Sequence, residues 1–578
     1  MKRKLIPIFA SLALLLAITA CQEYNEFIPQ GANNKKNSKV LVKEIATGAV
    51  IKGANGINFG PDGNLYIGSV NGQEIIVMNK QNGKIIKRIG TDKKVTTPDD
   101  LTFGPDGSLY WTDIYTGEVG RMTPAGVVTK QPVAPGVNPI TFSEDGRLFV
   151  GLCFLGDGLY ELDPELLAPP RPIIVASAEN NFFPLGFLNG FDFGPDGKLY
   201  GPLFAGGAVI RVNVGGPGTP PSTKPFEDGT AELVVGGFTV PAAAKFDSKG
   251  ILHVLDQSGE VFKVNTLTGE KTLFVKIQPG LDNLAFDSKG SLFISNADFG
   301  SIVEILPSGQ PRTISGGGMI GPMGLAVLPG SNKQDALFVG DLFRLRKHNG
   351  LTGKEEIVYK GDLLGGAGNL TTPFSLSADG ENVIVSSWFG NVVQVWNPKS
   401  DEVLQTIPIP IPIDAIRFKG DIAVSALGLG GVVRASDKSP IFPAGTPIFA
   451  PSGLATDGET LWVADLATGT IWQLGFNGNT PGAPVELATG LKGPEGLAWD
   501  KKGGLLVVES GASRLSRIDL VTGVVSTVAD GLKLSAPPIN LDNLVPPSYW
   551  FDGVAVGQSG DVYVSGGGKN VIYRVSKY

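Results

Sequence analysis

PDDLTFGPDGSLYWTD, residues 98–113, holds the fold in miniature. Leu101 and Phe103 alternate with polar neighbours, as one half-buried strand requires. Pro105-Asp106-Gly107 is a turn signal, and Leu109-Tyr110-Trp111 starts a second apolar run beyond it. Asp-Gly between two such runs predicts an antiparallel hairpin. A third run, Val119 to Met122, and a fourth, Val127 to Thr129, follow after further turns.

The same block recurs along the chain. NGINFGPDGNLYIGS starts at Asn55, NPITFSEDGRLFVGL at Asn138 and NGFDFGPDGKLYGPL at Asn189. AAKFDSKGILHVLD starts at Ala243 and DNLAFDSKGSLFISN at Asp282. Weaker copies begin near Met323, Thr372, Asp414, Ser452, Glu495 and Asp552, with starts 38 to 57 residues apart throughout. Four short strands at this period describe a propeller blade. The fold class is therefore all-β, with tandem β-propellers. Twelve units divide into two six-bladed rings, over 39–318 and 319–578, parted near Ser315-Gly316-Gly317-Gly318; a single ring of twelve is the alternative. The last unit stops at Tyr578 after its third strand, and Val40 to Ile45 reads as a spare fourth strand. The two could complete one blade and shift the border between the rings. The 80 glycines and 42 prolines serve turns, because 42% of the chain is apolar and regularly placed.

The start of the chain is a targeting segment. Lys2-Arg3-Lys4 precedes an apolar run from Leu5 to Ala20, which ends in Ile18-Thr19-Ala20-Cys21. This is the pattern of a secretory signal peptide over 1–20. It resembles the bacterial lipobox, which implies lipidation of Cys21 and a cell-envelope location, anchored to the membrane. Residues 21–38 are polar and read as a flexible tether. Cys153 is then the only other thiol, so no disulfide within the chain is expected, and Cys153 reads as a buried small hydrophobe. The formal net charge is −7, and loss of Lys2, Arg3 and Lys4 takes it to −10. Such a balance argues against nucleic acid as a partner.

A ligand site follows from blade geometry. The Asp-Gly turn joins the first and second strands at one end. The start of the inner strand and the end of the second strand therefore meet at the opposite face, around the channel. In the first ring that rim carries Asn55, Asp99, Asn138, Asn189, Ala243 and Asp282, with Asp113, Asp256 and Asn296 at second-strand ends. In the second it carries Met323, Thr372, Asp414, Ser452, Glu495 and Asp552, with Asp341, Asp465 and Glu509. Converging carboxylates and amides without thiolate or His suit a hard cation, above all Ca²⁺. The candidate metal ligands are Asn55, Asp99, Asn138, Asn189, Asp282, Asp414, Glu495 and Asp552. The competing role for such residues is to cap local backbone N–H groups. His253 reads as packed on a strand, and His348 as solvated in a basic loop with Arg344, Arg346 and Lys347.

At residues 98–113, and at Pro494-Glu495-Gly496-Leu497 and Phe551-Asp552-Gly553-Val554, the chain resembles the regucalcin/gluconolactonase group of six-bladed propellers, with its NHL-repeat and strictosidine-synthase-like relatives. The resemblance implies a divalent metal, usually Ca²⁺, held by a Glu, an Asn and an Asp at the channel mouth and polarising a lactone carbonyl. Glu495 and Asp552 match that set in kind, but the second ring has no rim Asn. The first ring has Asn and Asp but no rim Glu. The expected function is a Ca²⁺-dependent lactone or ester hydrolase, with Asp282 and Asp552 as catalytic residues. The alternative is a non-catalytic propeller scaffold binding a small molecule or an envelope protein, with the loops Pro217–Glu227 and Pro537–Tyr549 available to either. A monomer is expected. Virginiamycin-lyase-like chemistry requires a rim His, which neither ring has.

Overall fold

The computed structural model describes residues 40–578 apart from 307, 332–333, 362–368, 443–447 and 536–550. The leader, Cys21, the tether and the loop Pro537–Tyr549 lie outside the described residues. Val40–Tyr578 forms one compact unit of antiparallel sheets. Among the described residues no helix is long and apolar enough to cross a membrane.

The hairpin of residues 98–113 forms as its sequence predicts. Pro98–Phe103 pairs with Leu109–Asp113, and Gly107 takes the left-handed conformation that the turn demands (φ 78°). Asp106 Oδ1 accepts the Ser108 amide at 2.9 Å, which closes the turn. Glu118–Met122 and Val128–Pro132 complete the four-stranded blade. Six such sheets follow one another from Ile57 to Ser315, and the inner strand Leu281–Phe286 packs back against Ile57–Phe59. The first ring is thus closed.

A belt of aromatic pairs runs round this ring. The ring at the head of each second strand meets the Phe ending the next blade's inner strand: Tyr66–Phe103, Tyr110–Phe142, Phe149–Phe193, Tyr200–Phe246, His253–Phe286 and Phe293–Phe59. Centroid separations are 4.9 to 5.1 Å, the range in which such pairs add about 0.5–1.5 kcal/mol each. His253 is therefore packed, as expected, standing where the other blades place Phe or Tyr.

Six sheets also build the second ring, from Pro322 to Ser576. Its last blade is completed by the first strand of the molecule. Leu41–Thr47 runs antiparallel to Val571–Ser576, with Leu41 opposite Ser576 and Thr47 opposite Val571. The spare strand therefore belongs to the second ring, and residues 41–47 precede the first ring in sequence but not in space. The chain crosses between the rings twice, after Thr47 and after Ser315. Lys52 Nζ reaches the carbonyls of Gly567 (2.7 Å) and Gly568 (3.0 Å) across this seam, and Arg344 pairs with Asp298.

One expectation is overturned here. Arg344–Asn349 is a strand rather than a solvated loop. His348 is buried with Nδ1 3.0 Å from the Gly353 carbonyl, and Arg346 is fully buried against Asp341 Oδ2 at 2.5 Å. Alternation of Leu345 with charged residues obscured the strand, because its polar side chains face partners in the seam rather than water.

The third blade of the second ring departs from the pattern. Among the described residues it has three strands, Pro412–Phe418, Asp421–Ala426 and Gly431–Arg434, and its fourth position shows a bridge between Val433 and Pro440.

Candidate functional site

Two backbone devices shape the channel mouths. The first is a β-bulge at the start of the inner strand. In the 98–113 hairpin Pro98 pairs with Asp113 and Leu101 with Trp111, so Asp99 and Asp100 together oppose Thr112. The ladder leaves the Asp100 amide without a partner, and Thr112 Oγ1 accepts it at 3.0 Å. The same shift falls at Asn138-Pro139, Asp282-Asn283, Met323-Gly324, Ser452-Gly453 and Glu495-Gly496. A bulge re-aims side chains beside sites, and here it turns the rim doublets toward the channel.

The second device uses the acids at second-strand ends. Asp113 Oδ1 accepts Thr96 N (2.9 Å) and Thr97 N (2.6 Å). Asp256 Oδ2 accepts Thr239 N and Val240 N, and Asp341 Oδ1 accepts Ile320 N and Gly321 N. Asp465 accepts Phe449 N and Ala450 N, and Glu509 accepts Lys492 N. In all five blades the bonded amides immediately precede, or lie one residue short of, a proline that opens the inner strand and offers no N–H of its own. These carboxylates are spent on the entering loop. Asn296 does the same work through the Gln278 and Pro279 carbonyls.

Asp99 and Asp282 differ. Neither side chain makes a hydrogen bond among the described residues, although Asp99 is buried and Asp282 half-buried. Burial, and then the adjacent Asp100 carboxylate, push the Asp99 carboxyl up to about 7. Burial, followed by Asp99, Asp100 and Asp298, pushes Asp282 well above the ordinary carboxylate range. The two acids interact across the mouth, from blades two and six. Asp100 is held deeper: Oδ2 accepts Ile140 N at 3.1 Å, and Oδ1 accepts Asn283 Nδ2 at 3.2 Å. Gly56 makes that reach possible, because a Cβ there would lie 2.4 Å from Asp100 Oδ1.

Blades three and four, next to the blade of Asp99, line the same ring's mouth with amides. Asn138 Nδ2 donates to Asn189 Oδ1 at 3.0 Å, and Asn138 Oδ1 is buried without a partner. Asn189 Oδ1 also accepts Gly190 N. Cys153 is buried and reduced. Burial, and then Asp99, Asp157 and Asp282, raise its thiol well above the ordinary value, which fits an inert thiol facing the acids. Tyr115 is raised by burial and by Asp99.

From this mouth an aromatic run leads outward. Phe154, the neighbour of Cys153, meets Phe204 edge-on at 5.0 Å and Phe187 at 5.8 Å, and Phe183 meets Phe187 at 5.6 Å. Phe182 and Phe183 at its outer end are exposed. Phe154, Phe182 and Phe187 have φ of 65°, 63° and 70°, a conformation uncommon for bulky residues.

The second ring's mouth is filled. Met323, Leu342, Phe374, Trp388, Ile413 and Phe551 form one apolar cluster, with Phe374 stacked on Trp388 at 4.5 Å. Its acids are tied to backbone. Asp552 Oδ2 accepts Ser535 N (2.6 Å), and Oδ1 accepts Gly567 N (2.9 Å). Burial raises it to about 6 despite those bonds. Glu495 Oε2 accepts Asp552 N at 2.7 Å and Oε1 is buried without a partner. Burial, and then Asp552, hold Glu495 well above its ordinary value. Asp414 is closed on both oxygens, by Ser375 Oγ, Ala415 N and Leu454 N, which ties three successive blades together. Asn55 Oδ1 accepts Val70 N of its own hairpin.

Of the eight candidate ligands, the structure thus gathers Asp99, Asp282, Asn138 and Asn189 at one mouth, and Glu495 with Asp552 at another. It leaves Asn55 and Asp414 on backbone duty. Among the described residues no three His, Cys, Asp or Glu side chains form a group able to hold a metal by themselves. Any cation at the first mouth needs the Asn138 amide oxygen alongside the two carboxylates. The set fits Ca²⁺ in kind: hard oxygen donors, one of them a buried oxygen lacking a partner. Asp100 and Asn283 went unnoticed in the sequence, although each is the second member of a polar doublet at a strand start.

No family model matches the chain, and no curated protein matches it. Among solved structures it is similar to a streptogramin B lyase, at 15% identity over 52% of this chain and 94% of that one, with a TM-score of 0.36. It is similar to a gluconolactonase candidate at 14% identity over 48% and 94%, TM-score 0.35. The extracellular domain of the one-component system candidate BT4673 from B. thetaiotaomicron matches over 93% of this chain and 82% of that one, at 10% identity and TM-score 0.30.

Proposed function

We propose that this chain is an exported, lipid-anchored propeller protein. Its first ring holds Ca²⁺ and a small carbonyl compound at the channel mouth and hydrolyses a lactone or ester there. The observation that supports this most is the contrast among acids. Those at second-strand ends are spent on backbone amides, whereas Asp99 and Asp282 interact in one ring without a donor among the described residues, and Asn138 Oδ1 is unpaired on the blade next to that of Asp99.

Asp99, Asp282 and Asn138 are the cation-holding residues. Asn189, through its bond from Asn138 Nδ2, aims the free amide oxygen at the site. A bound Ca²⁺ polarises a carbonyl and lowers the pKa of water beside it. Burial and the neighbouring acids favour the protonated form of Asp282 in the free site, and a bound cation would favour its ionised form as a ligand. The Phe154–Phe187–Phe183 run excludes water and receives the apolar part of the ligand. Asp552 and Glu495 are assigned to structure, since Asp552 binds the Ser535 and Gly567 amides, Glu495 binds the Asp552 amide, and their ring's mouth is filled by the Met323–Phe374–Trp388 cluster. A second reading, a binder without turnover, is favoured by the exposed Phe182 and Phe183, which suit ligand capture as well as catalysis.

Calorimetry with Ca²⁺ after chelator treatment tests the site. One ion per chain, lost in Asp99→Asn and Asp282→Asn and kept in Asp552→Asn, supports it. No binding at millimolar Ca²⁺ refutes it. Binding without turnover of a lactone and ester panel leaves the non-catalytic reading.

A further inference from the structure

We propose that the space left by the shortened fourth strand in the second ring's third blade is a binding site for a small organic carboxylate with one flat apolar face. The cavity is about 520 Å³, within the range of small-molecule pockets. Among the described residues Gly431–Arg434 is followed by the bridge at Pro440, where other blades carry a full outer strand. Ser439 O and Ile441 N already take Arg434 N and Val432 O, so that edge is closed to an added peptide strand. The opening suits a small molecule instead.

The lining supplies both halves of the recognition. Phe418 and Phe476, edge to face at 4.8 Å, make an apolar floor. Arg417, Lys419 and Arg434 are gathered here in a chain whose net charge is negative. Two of these cations are committed: Arg417 to Asp379 through two hydrogen bonds, and Lys419 to Glu459 at 2.6 Å. Among the described residues Arg434 has no carboxylate within ion-pair distance. Its Nη2 donates to the Asn479 carbonyl at 3.2 Å, which holds the guanidinium at the cavity while the remaining N–H groups stay available. Asp437 feels its charge from the solvent side without pairing. Asp421, the acid in the lining, is spent on Ser436 Oγ and Ile422 N. The Arg434 guanidinium beside Phe418 and Phe476, whose rings also carry the Lys419 ammonium at 5.7 and 5.9 Å, matches a ring-bearing carboxylate.

The test is calorimetry on the full-length protein with chelator present, so that no Ca²⁺ site at the first ring contributes. The probes are 2-naphthoate, its neutral amide 2-naphthamide, and galacturonate, which separates an aryl from a sugar source of the same carboxylate chemistry. One carboxylate per chain should bind at least tenfold more tightly than the amide, and Arg434→Gln should erase that preference. Phe476→Leu, which preserves packing, should weaken naphthoate severalfold. The idea is overturned if naphthoate and naphthamide bind alike, if Arg434→Gln binds as wild type, or if no carboxylate binds at 10-fold millimolar excess.

Discussion

Replacing Asp99 by Asn should make the protein more stable at pH 8 and remove that residue's share of the pH dependence between pH 4 and 7, leaving the shares of Asp414 and Asp552, which burial also raises. In the folded chain the Asp99 carboxyl titrates at about 7 against 3.8 for a free Asp. The folded state therefore binds this proton more tightly than the unfolded state. The resulting stability is fully present below pH 4, declines as the pH rises through 7, and is absent above it. A shift of about 3 units at about 1.4 kcal/mol each gives roughly 4 kcal/mol, a large share of the 5–15 kcal/mol typical of domains. Asn has the same shape and no charge to bury. Urea unfolding of wild type and Asp99→Asn at half-unit steps from pH 4 to 8.5, with chelator, measures the difference. The wild-type midpoint should fall more steeply with pH than that of the variant, the difference being the contribution of Asp99. Ca²⁺ at a hundred times its Kd should restore about 2.7 kcal/mol to wild type at pH 8 and nothing to the variant. Parallel pH curves for the two proteins would refute the burial of an unpaired carboxylate at this mouth.

Gly56→Ala should cost about 2–4 kcal/mol, read by thermal unfolding, because its Cβ would stand 2.4 Å from Asp100 Oδ1 and 2.6 Å from the Asp99 carbonyl, and backbone cannot yield as a side-chain tip can. Deleting residues 40–47 should leave Val571–Ser576 as an open edge, with aggregation and an earlier unfolding step in the second ring, seen by light scattering and calorimetry. Cys21→Ser should release the protein from the membrane fraction, followed by fractionation and by loss of the lipid mass. Alanine at both Phe182 and Phe183 should raise KM severalfold for aryl esters and leave acetate esters unchanged, if the outer aromatics receive the ligand's apolar part.

Blades were legible because each repeats the same short-range chemistry: an alternating strand, an Asp-Gly turn and a second apolar run ending in a hydroxyl or carboxyl residue. The six-and-six division follows from counting those turns. The site was only half legible. Asp99, Asn138, Asn189 and Asp282 share a rim position and residue type with Asn55 and Asp414, yet the last two serve the backbone. What separates them is whether an N–H from the next strand reaches the side chain. That depends on inter-blade registers of a fraction of a residue, such as Leu454 N on Asp414, and no local pattern encodes it. His348 misled for a related reason: alternating charge reads as a solvated loop until Arg346 and His348 are seen to face a buried seam.

The two rings divide what one ring does badly. A channel mouth lined by unpaired acids loses stability, since burying a carboxylate without partners costs several kcal/mol unless it stays protonated or meets a cation. The second ring spends its mouth on Met323, Phe374, Trp388, Ile413 and Phe551, whose burial returns about 1.5–3 kcal/mol for each large side chain. It is further held by the Leu41–Thr47 strand, which ties the beginning of the chain to its end. Because Lys52 and Asp298 fix the first ring to this second body, the strain of the acidic mouth falls on a unit whose blades are already locked by six aromatic pairs. The first ring can then keep Asp99 and Asp282 uncompensated, and a ligand or cation that neutralises them gains the free energy that the fold left there.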